Sequence, residues 1–259
     1  MSRLAVAAAM AMATLVSVHA SGTTEGAYWT RVNGRRVYYE VHGHGRPLLL
    51  LHGGDSGGHF FARQMASFAR HHEIIVPDQV GQGRTPDVPG PLTYTGMMQD
   101  TVELLHKLNI QEADVVGFSD GGILALMLAV HHPELTRRLA ISGVNFAPDG
   151  LTSDTLDELR AAMPDGKPKT IDEKLEQLWL NSPTEKELNL KLLASIEDPV
   201  LVMSGDRDVI TLEHTITIYR TIPNAELFVL PGTDHGTFDT RPGLVNPVVL
   251  NFLDGPGSR

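Results

Sequence analysis

Two periods of apolar residues run through this chain. Pro47-Leu48-Leu49-Leu50-Leu51 is an unbroken apolar run with glycines on either side, the pattern of a strand buried on both faces. Ile74-Ile75-Val76, Ala113–Phe118, Leu139-Ala140-Ile141, Val200–Met203 and Leu227–Leu230 read as further strands. Tyr28–Val32 and Arg36–His42 flank Asn33-Gly34, a strong hairpin signal. Between the strands the period changes to that of a helix. Phe61, Met65 and Phe68 make one stripe, and Met98, Val102 and Leu105 another. Ile123–Val130 is apolar almost throughout, which predicts a central helix, and Leu244–Leu253 predicts a last helix despite Pro247. Strands alternating with helices imply an α/β fold with a mostly parallel central sheet and helices on both faces.

The rhythm breaks between Gly143 and Pro199, which holds three helix-start signals and no convincing strand. Thr155 with Glu158, Thr170 with Glu173, and Ser182-Pro183-Thr184-Glu185 match the capping box, the last with proline at the first helical position. A short helical cap over about 145–197, inserted into one domain, accounts for this stretch. Ile171, Leu175, Leu178 and Trp179 form an apolar stripe on its second helix that either packs the cap onto the core or lines a pocket.

At 259 residues, 42% hydrophobic and 20% charged, the chain affords a packed core. Its net charge of -10 argues against nucleic acid as a partner, since phosphate neutralisation needs basic patches. Cysteine is absent, so disulfides, thiolate metal sites and a thiol nucleophile are excluded. Arg3, the uncharged run Leu4–Val18 and Val18-His19-Ala20 have the layout of a signal peptide over residues 1–20, leaving a domain over 21–259. The apolar run is shorter than the roughly 20 residues of a membrane span. A secreted or periplasmic protein without stable membrane association after cleavage is expected; retention as an N-terminal anchor is the alternative.

Two serines compete for the pattern G-x-S-x-G. Gly54-Asp55-Ser56-Gly57-Gly58 also spells the G-D-S-G-G of trypsin-like proteases, but there the serine comes late in an all-β chain, whereas Ser56 lies early, in a glycine-rich loop. Gly117-Phe118-Ser119-Asp120-Gly121 has a strand before it and a helix after it, the setting that lifts a serine hydroxyl out of a sheet edge. His42-x-His44 lacks a third ligand nearby, and no metal or cofactor is expected.

The chain resembles the α/β-hydrolase superfamily, and within it the small capped esterases and lactonases. Five segments in order carry the resemblance. They are Leu51-His52-Gly53-Gly54, Pro77-Asp78-Gln79-Val80-Gly81-Gln82-Gly83, the Ser119 segment, Gly205-Asp206-Arg207-Asp208 and Pro231-Gly232-Thr233-Asp234-His235-Gly236. The resemblance implies Ser119 as nucleophile, His235 as general base and Asp208, in preference to Asp206, as the acid behind it. It implies backbone donors for the oxyanion at Gly54 and Asp120, with His52 orienting the Gly54 loop, and His52, Gly53, Phe118 and Trp179 beside the substrate. The expected activity is hydrolysis of carboxylic esters of small to medium, largely uncharged substrates through an acyl-enzyme. A lactonase or an aminopeptidase of the same fold is the alternative, and a non-catalytic ligand sensor on this scaffold the alternative of another class.

Overall fold

The computed structural model describes residues 24–163 and 167–255, so the signal-peptide expectation lies outside the described residues. Eight strands form one sheet: β1 (Gly26–Val32), β2 (Arg35–His42), β3 (Arg46–Leu51), β4 (His72–Pro77), β5 (Ala113–Phe118), β6 (Thr136–Ser142), β7 (Val200–Gly205) and β8 (Ala225–Leu230). Around it lie α1 (Ala62–Phe68), α2 (Tyr94–Lys107), α3 (Asp120–His131), α4 (Ser153–Ala162), α5 (Ile171–Asn181), α6 (Leu190–Leu193), α7 (Leu212–Thr221), α8 (Thr237–Thr240) and α9 (Pro242–Leu253).

The strand order is β1-β2-β4-β3-β5-β6-β7-β8. β1, β2 and β4 pair antiparallel, and every pairing from β4 through β8 is parallel. The expected mostly parallel α/β sheet is therefore the observed one. Asn33 and Gly34 both take positive φ, at 48° and 80°, which is the backbone a two-residue hairpin needs. The period of two along a strand divides the core in half. Leu49, Leu51, Ile75, Val115, Leu139 and Val202 face one side with α2 and α3. Leu48, Leu50, Ile74, Val116, Ala140 and Leu201 face the other with α1 and α9. α3 is buried nearly all round, between the sheet and α2, which is why its sequence shows no polar face.

The insertion after β6 is helical, as expected, but two of its three predicted starts move. α4 is capped by Thr152, whose hydroxyl accepts the Thr155 N–H at 3.4 Å, so Thr155 sits inside the helix. Thr170 and Glu173 do form the capping box of α5. No helix starts at Pro183. The Glu187 carboxylate accepts the Thr184 N–H and hydroxyl at 2.9 and 3.0 Å and the Thr95 hydroxyl at 2.9 Å, which ties a turn there to α2. The third helix starts at Leu190, capped by Asn189.

Two backbone bonds, Thr152 N–H to Val209 at 2.8 Å and Thr211 N–H to Gly150 at 2.8 Å, anchor the start of the insertion beside the loop after β7. His214 of α7 supports the same corner. Its Nε2 accepts the Phe146 N–H at 3.0 Å and its ring stacks on Phe146 at 4.1 Å, so the neutral ring is the one that fits. Burial holds its pKa below the ordinary imidazole value, with Asp149 pulling the other way. An unfolded chain takes up this proton near pH 6.5, as for a free imidazole, while the folded chain resists it. The contribution is complete above about 6.5 and fades as pH falls from there toward the lowered folded value. The gap in melting temperature between wild type and His214→Gln should accordingly narrow from pH 7.5 to pH 5; a gap constant with pH would contradict this assignment.

Candidate active site

β5 ends at Phe118, and the chain turns sharply at Ser119 into α3. Ser119 sits at φ 52°, ψ −120°, in the left-handed half of the map that side chains rarely adopt. The turn is held by the Ser119 N–H on the Ser142 carbonyl (2.8 Å) and by the Gly122 and Ile123 N–H groups on the Ser119 carbonyl (2.8 and 3.0 Å). A Cβ at Gly121 would overlap the Leu51 carbonyl, and one at Gly117 the Gly121 carbonyl, so this tight packing requires glycine at both positions.

Three of the residues singled out in the sequence come together here. His235 Nε2 lies 3.0 Å from Ser119 Oγ, and His235 Nδ1 lies 2.6 Å from Asp208 Oδ1. The Asp208 carboxylate is fully buried and also accepts the Ile210 N–H at 3.0 Å and the Ser204 hydroxyl at 3.2 Å. A carboxylate accepts only, so Nδ1 carries the imidazole proton and Nε2 is left as acceptor for the serine hydroxyl. Such a chain can move a proton off the serine oxygen and hold the resulting imidazolium.

The competing residues do other things. Asp206 accepts the Thr233 N–H at 3.1 Å and braces the turn after β8; backbone donors from Gly232 and Thr233 hold its carboxyl below the usual range. Asp234 accepts the Gly236 N–H at 3.0 Å. Ser56 is half-buried in its loop and bonds to no imidazole. His42 bonds Glu40 at 2.8 Å.

A cavity of about 220 Å³ opens over Ser119 and His235 and is walled by Gly54, Phe118, Asp120 and Trp179 among others. His52 and Gly53 were expected beside the substrate, but they are buried behind this wall and do not line it. His52 holds the loop, as expected of it, with Nδ1 donating to the Gly53 carbonyl at 2.7 Å and Nε2 accepting the Gln79 N–H at 2.9 Å. Burial keeps its pKa below the ordinary imidazole value, consistent with this neutral form. His52→Ala would strand a buried carbonyl and a buried N–H, at about 1–3 kcal/mol each. Denaturant unfolding should show a loss of about 2–4 kcal/mol; a variant as stable as wild type would contradict the role.

The apolar stripe of α5 divides between the two readings. Leu175 and Leu178 are core. Trp179 faces the cavity, and its indole Nε1 donates to Asp120 Oδ1 and Oδ2 at 3.0 and 3.1 Å. Tyr94, the first residue of α2, donates its hydroxyl to Asp120 Oδ1 at 2.8 Å. Burial pushes the Asp120 carboxyl up, and the Tyr94 and Trp179 donors pull it back. Of these groups the sequence points to Trp179 and to the Asp120 backbone. The Asp120 side chain and Tyr94 were missed, because no local pattern marks a tyrosine that becomes fully buried beside the Ser119 turn.

The profile of the α/β hydrolase fold matches residues 46–181, and the chain belongs to that family. It is a hydrolase of the α/β type, as its similarity to hydrolases over nearly their whole length supports. RutD of Caulobacter sp. strain K31, named for carbamate hydrolysis, is 28% identical over 91% of this chain and 98% of its own. The 2-hydroxymuconate semialdehyde hydrolase of Pseudomonas putida is 28% identical over 85% of this chain and 91% of its own. The crystal structure of the enol-lactonase from Burkholderia xenovorans LB400 superimposes with a TM-score of 0.74 at 18% identity, covering 88% of this chain and 100% of that one.

Proposed function

We propose that this hydrolase is a serine esterase that cleaves carboxylic esters of small to medium size through an acyl-enzyme. The observation that carries the reading is the bonded series Ser119, His235, Asp208, of which Ser119 and His235 line a single cavity. In this mechanism His235 Nε2 takes the Ser119 proton as Oγ attacks the ester carbonyl. The negative oxygen of the tetrahedral intermediate is met by the backbone N–H of Asp120 and that of Gly54. The Asp120 N–H lies in the first turn of α3, where amides have no partner within the helix and the helix dipole favours negative charge. His235 then returns the proton to the departing alcohol, and a water repeats the sequence to release the acid.

A cavity of about 220 Å³ suits a small acyl or alcohol group rather than a long chain. The test is a panel of p-nitrophenyl esters of two to eight carbons, lactones and aminoacyl anilides on one purified sample. Short esters should turn over fastest; activity confined to lactones, to anilides or to none of the panel would overturn the reading. For its location we propose export to the periplasm or medium, on the strength of Arg3, the apolar run Leu4–Val18 and the small residue Ala20. Amino-terminal sequencing of the mature protein should begin at Ser21.

A further inference from the structure

Asn145 follows β6 on the side of the cavity where His235 lies. Two residues earlier Gly143 packs against the His235 ring, so closely that a Cβ there would come to 2.7 Å from Cε1. The Asn145 side chain lines the active-site cavity and is buried, at 8% exposure. Its Nδ2 donates to the Ala147 carbonyl at 2.8 Å. A carbonyl only accepts, so this bond fixes which amide atom is the nitrogen and leaves the oxygen on the other side. Oδ1 accepts from no group among the described residues, yet it is not sealed inside the protein; the open space beside Asn145 is the cavity. The other uncharged polar side chains on the wall are the Thr155 and Ser182 hydroxyls, which can rotate and serve as donor or acceptor. The Asn145 amide has its nitrogen committed, so it meets a ligand as an acceptor alone. An acceptor in a buried wall is costly to leave unmet. A water that meets it is displaced at a loss by a methyl group, which cannot take over the bond.

We propose that Asn145 determines specificity: its Oδ1 accepts a hydrogen bond from a hydroxyl or N–H of the substrate, so the cavity selects short, uncharged esters that carry a donor close to the ester group. This rests on the esterase reading and narrows it. The closeness follows from the position of Asn145, two residues from the contact with His235, and from a cavity of only about 220 Å³. A site that hydrogen-bonds a substrate donor rejects the analogue lacking it, because the site's own polar group is then left unpaired. The bond from Nδ2 to Ala147 sustains the discrimination, since it keeps the amide from turning its donor side to the substrate.

Two pairs of esters in which a methyl replaces the hydroxyl test it. Each enantiomer of ethyl lactate against ethyl isobutyrate places the donor on the acyl side. 2-Hydroxyethyl acetate against propyl acetate places it on the alcohol side. A hydroxyl also activates an ester chemically, so each kcat/KM ratio is divided by the ratio of the same two esters' rates with hydroxide in water. In at least one pair the wild-type quotient should favour the hydroxyl by about tenfold or more, the factor that about 1.4 kcal/mol supplies; the pair that responds identifies the side. Asn145→Leu, which keeps the approximate shape and removes the acceptor, should bring that quotient to about one. Each quotient is taken within a single preparation, so the amount of active protein cancels, and the wild-type quotients decide alone if the variant does not fold. Hydrolysis of the methyl-bearing esters with wild-type quotients below about tenfold in both pairs overturns the inference and leaves the esterase reading standing. So does a quotient unchanged in folded Asn145→Leu. Hydrolysis of none of these esters by folded wild type overturns both.

Discussion

Replacing Ser119 with alanine should lower kcat by about 10⁴-fold or more, while Ser56→Ala keeps most of the activity. The two serines share one sequence pattern, so the difference must come from their surroundings. Ser119 Oγ has an imidazole nitrogen at 3.0 Å, and that imidazole has a buried carboxylate at 2.6 Å. Ser56 lies in a loop with no base on its hydroxyl. A serine hydroxyl without a base is a weak nucleophile, and what survives Ser119→Ala is the contribution of the oxyanion donors and of binding. Steady-state kinetics on a short ester, with circular dichroism showing both variants folded, checks the pair. Comparable losses in the two would contradict the assignment.

Asp208→Asn should cost about 10³- to 10⁴-fold in kcat, and Asp206→Asn less than about tenfold. The asymmetry follows from what each carboxylate holds. Asp208 Oδ1 receives the His235 Nδ1 proton, so the opposite nitrogen is free to accept from serine. An asparagine amide donates toward Nδ1 and favours the tautomer with the proton on Nε2, which cannot take one from Ser119. Asp206 bonds only backbone near Thr233, and its carboxylate is exposed, so an amide in its place keeps the turn nearly as it is. A larger loss at Asp206 than at Asp208 would move the acid to the other residue.

The framework was legible because its signals are local. Leu48–Leu51 and Ala113–Phe118 are strands buried on both faces, which leaves no polar face to confuse the period. The turn at Ser119 announces itself by glycines that no larger residue could replace. The loops after β7 and β8 carry Asp208 and His235 to the same sheet edge because those strands are parallel neighbours in the sheet. What stayed hidden depends on partners distant in the chain. The turn at Pro183 has the local signature of a helix start, but Glu187 is engaged by Thr95, 92 residues away, and that contact outweighs propensity. The Asp120 side chain and Tyr94 sit on α3 and α2, and each alone reads as an ordinary residue of its helix, whereas the apolar stripe of α5 already offered Trp179 as a pocket residue. The loop-holding role of His52 was legible, but not that both its ring nitrogens are spent on the Gly53 and Gln79 backbone, which keeps it behind the cavity wall.

Ser119 as the nucleophile of a covalent mechanism can be trapped chemically. Incubating the folded protein with a fluorophosphonate probe and mapping the adduct by peptide mass spectrometry tests it most directly. One phosphonyl group per chain should appear, on Ser119, with no adduct in Ser119→Ala. A mass unchanged after incubation, or an adduct on Ser56 or any other residue, would contradict it.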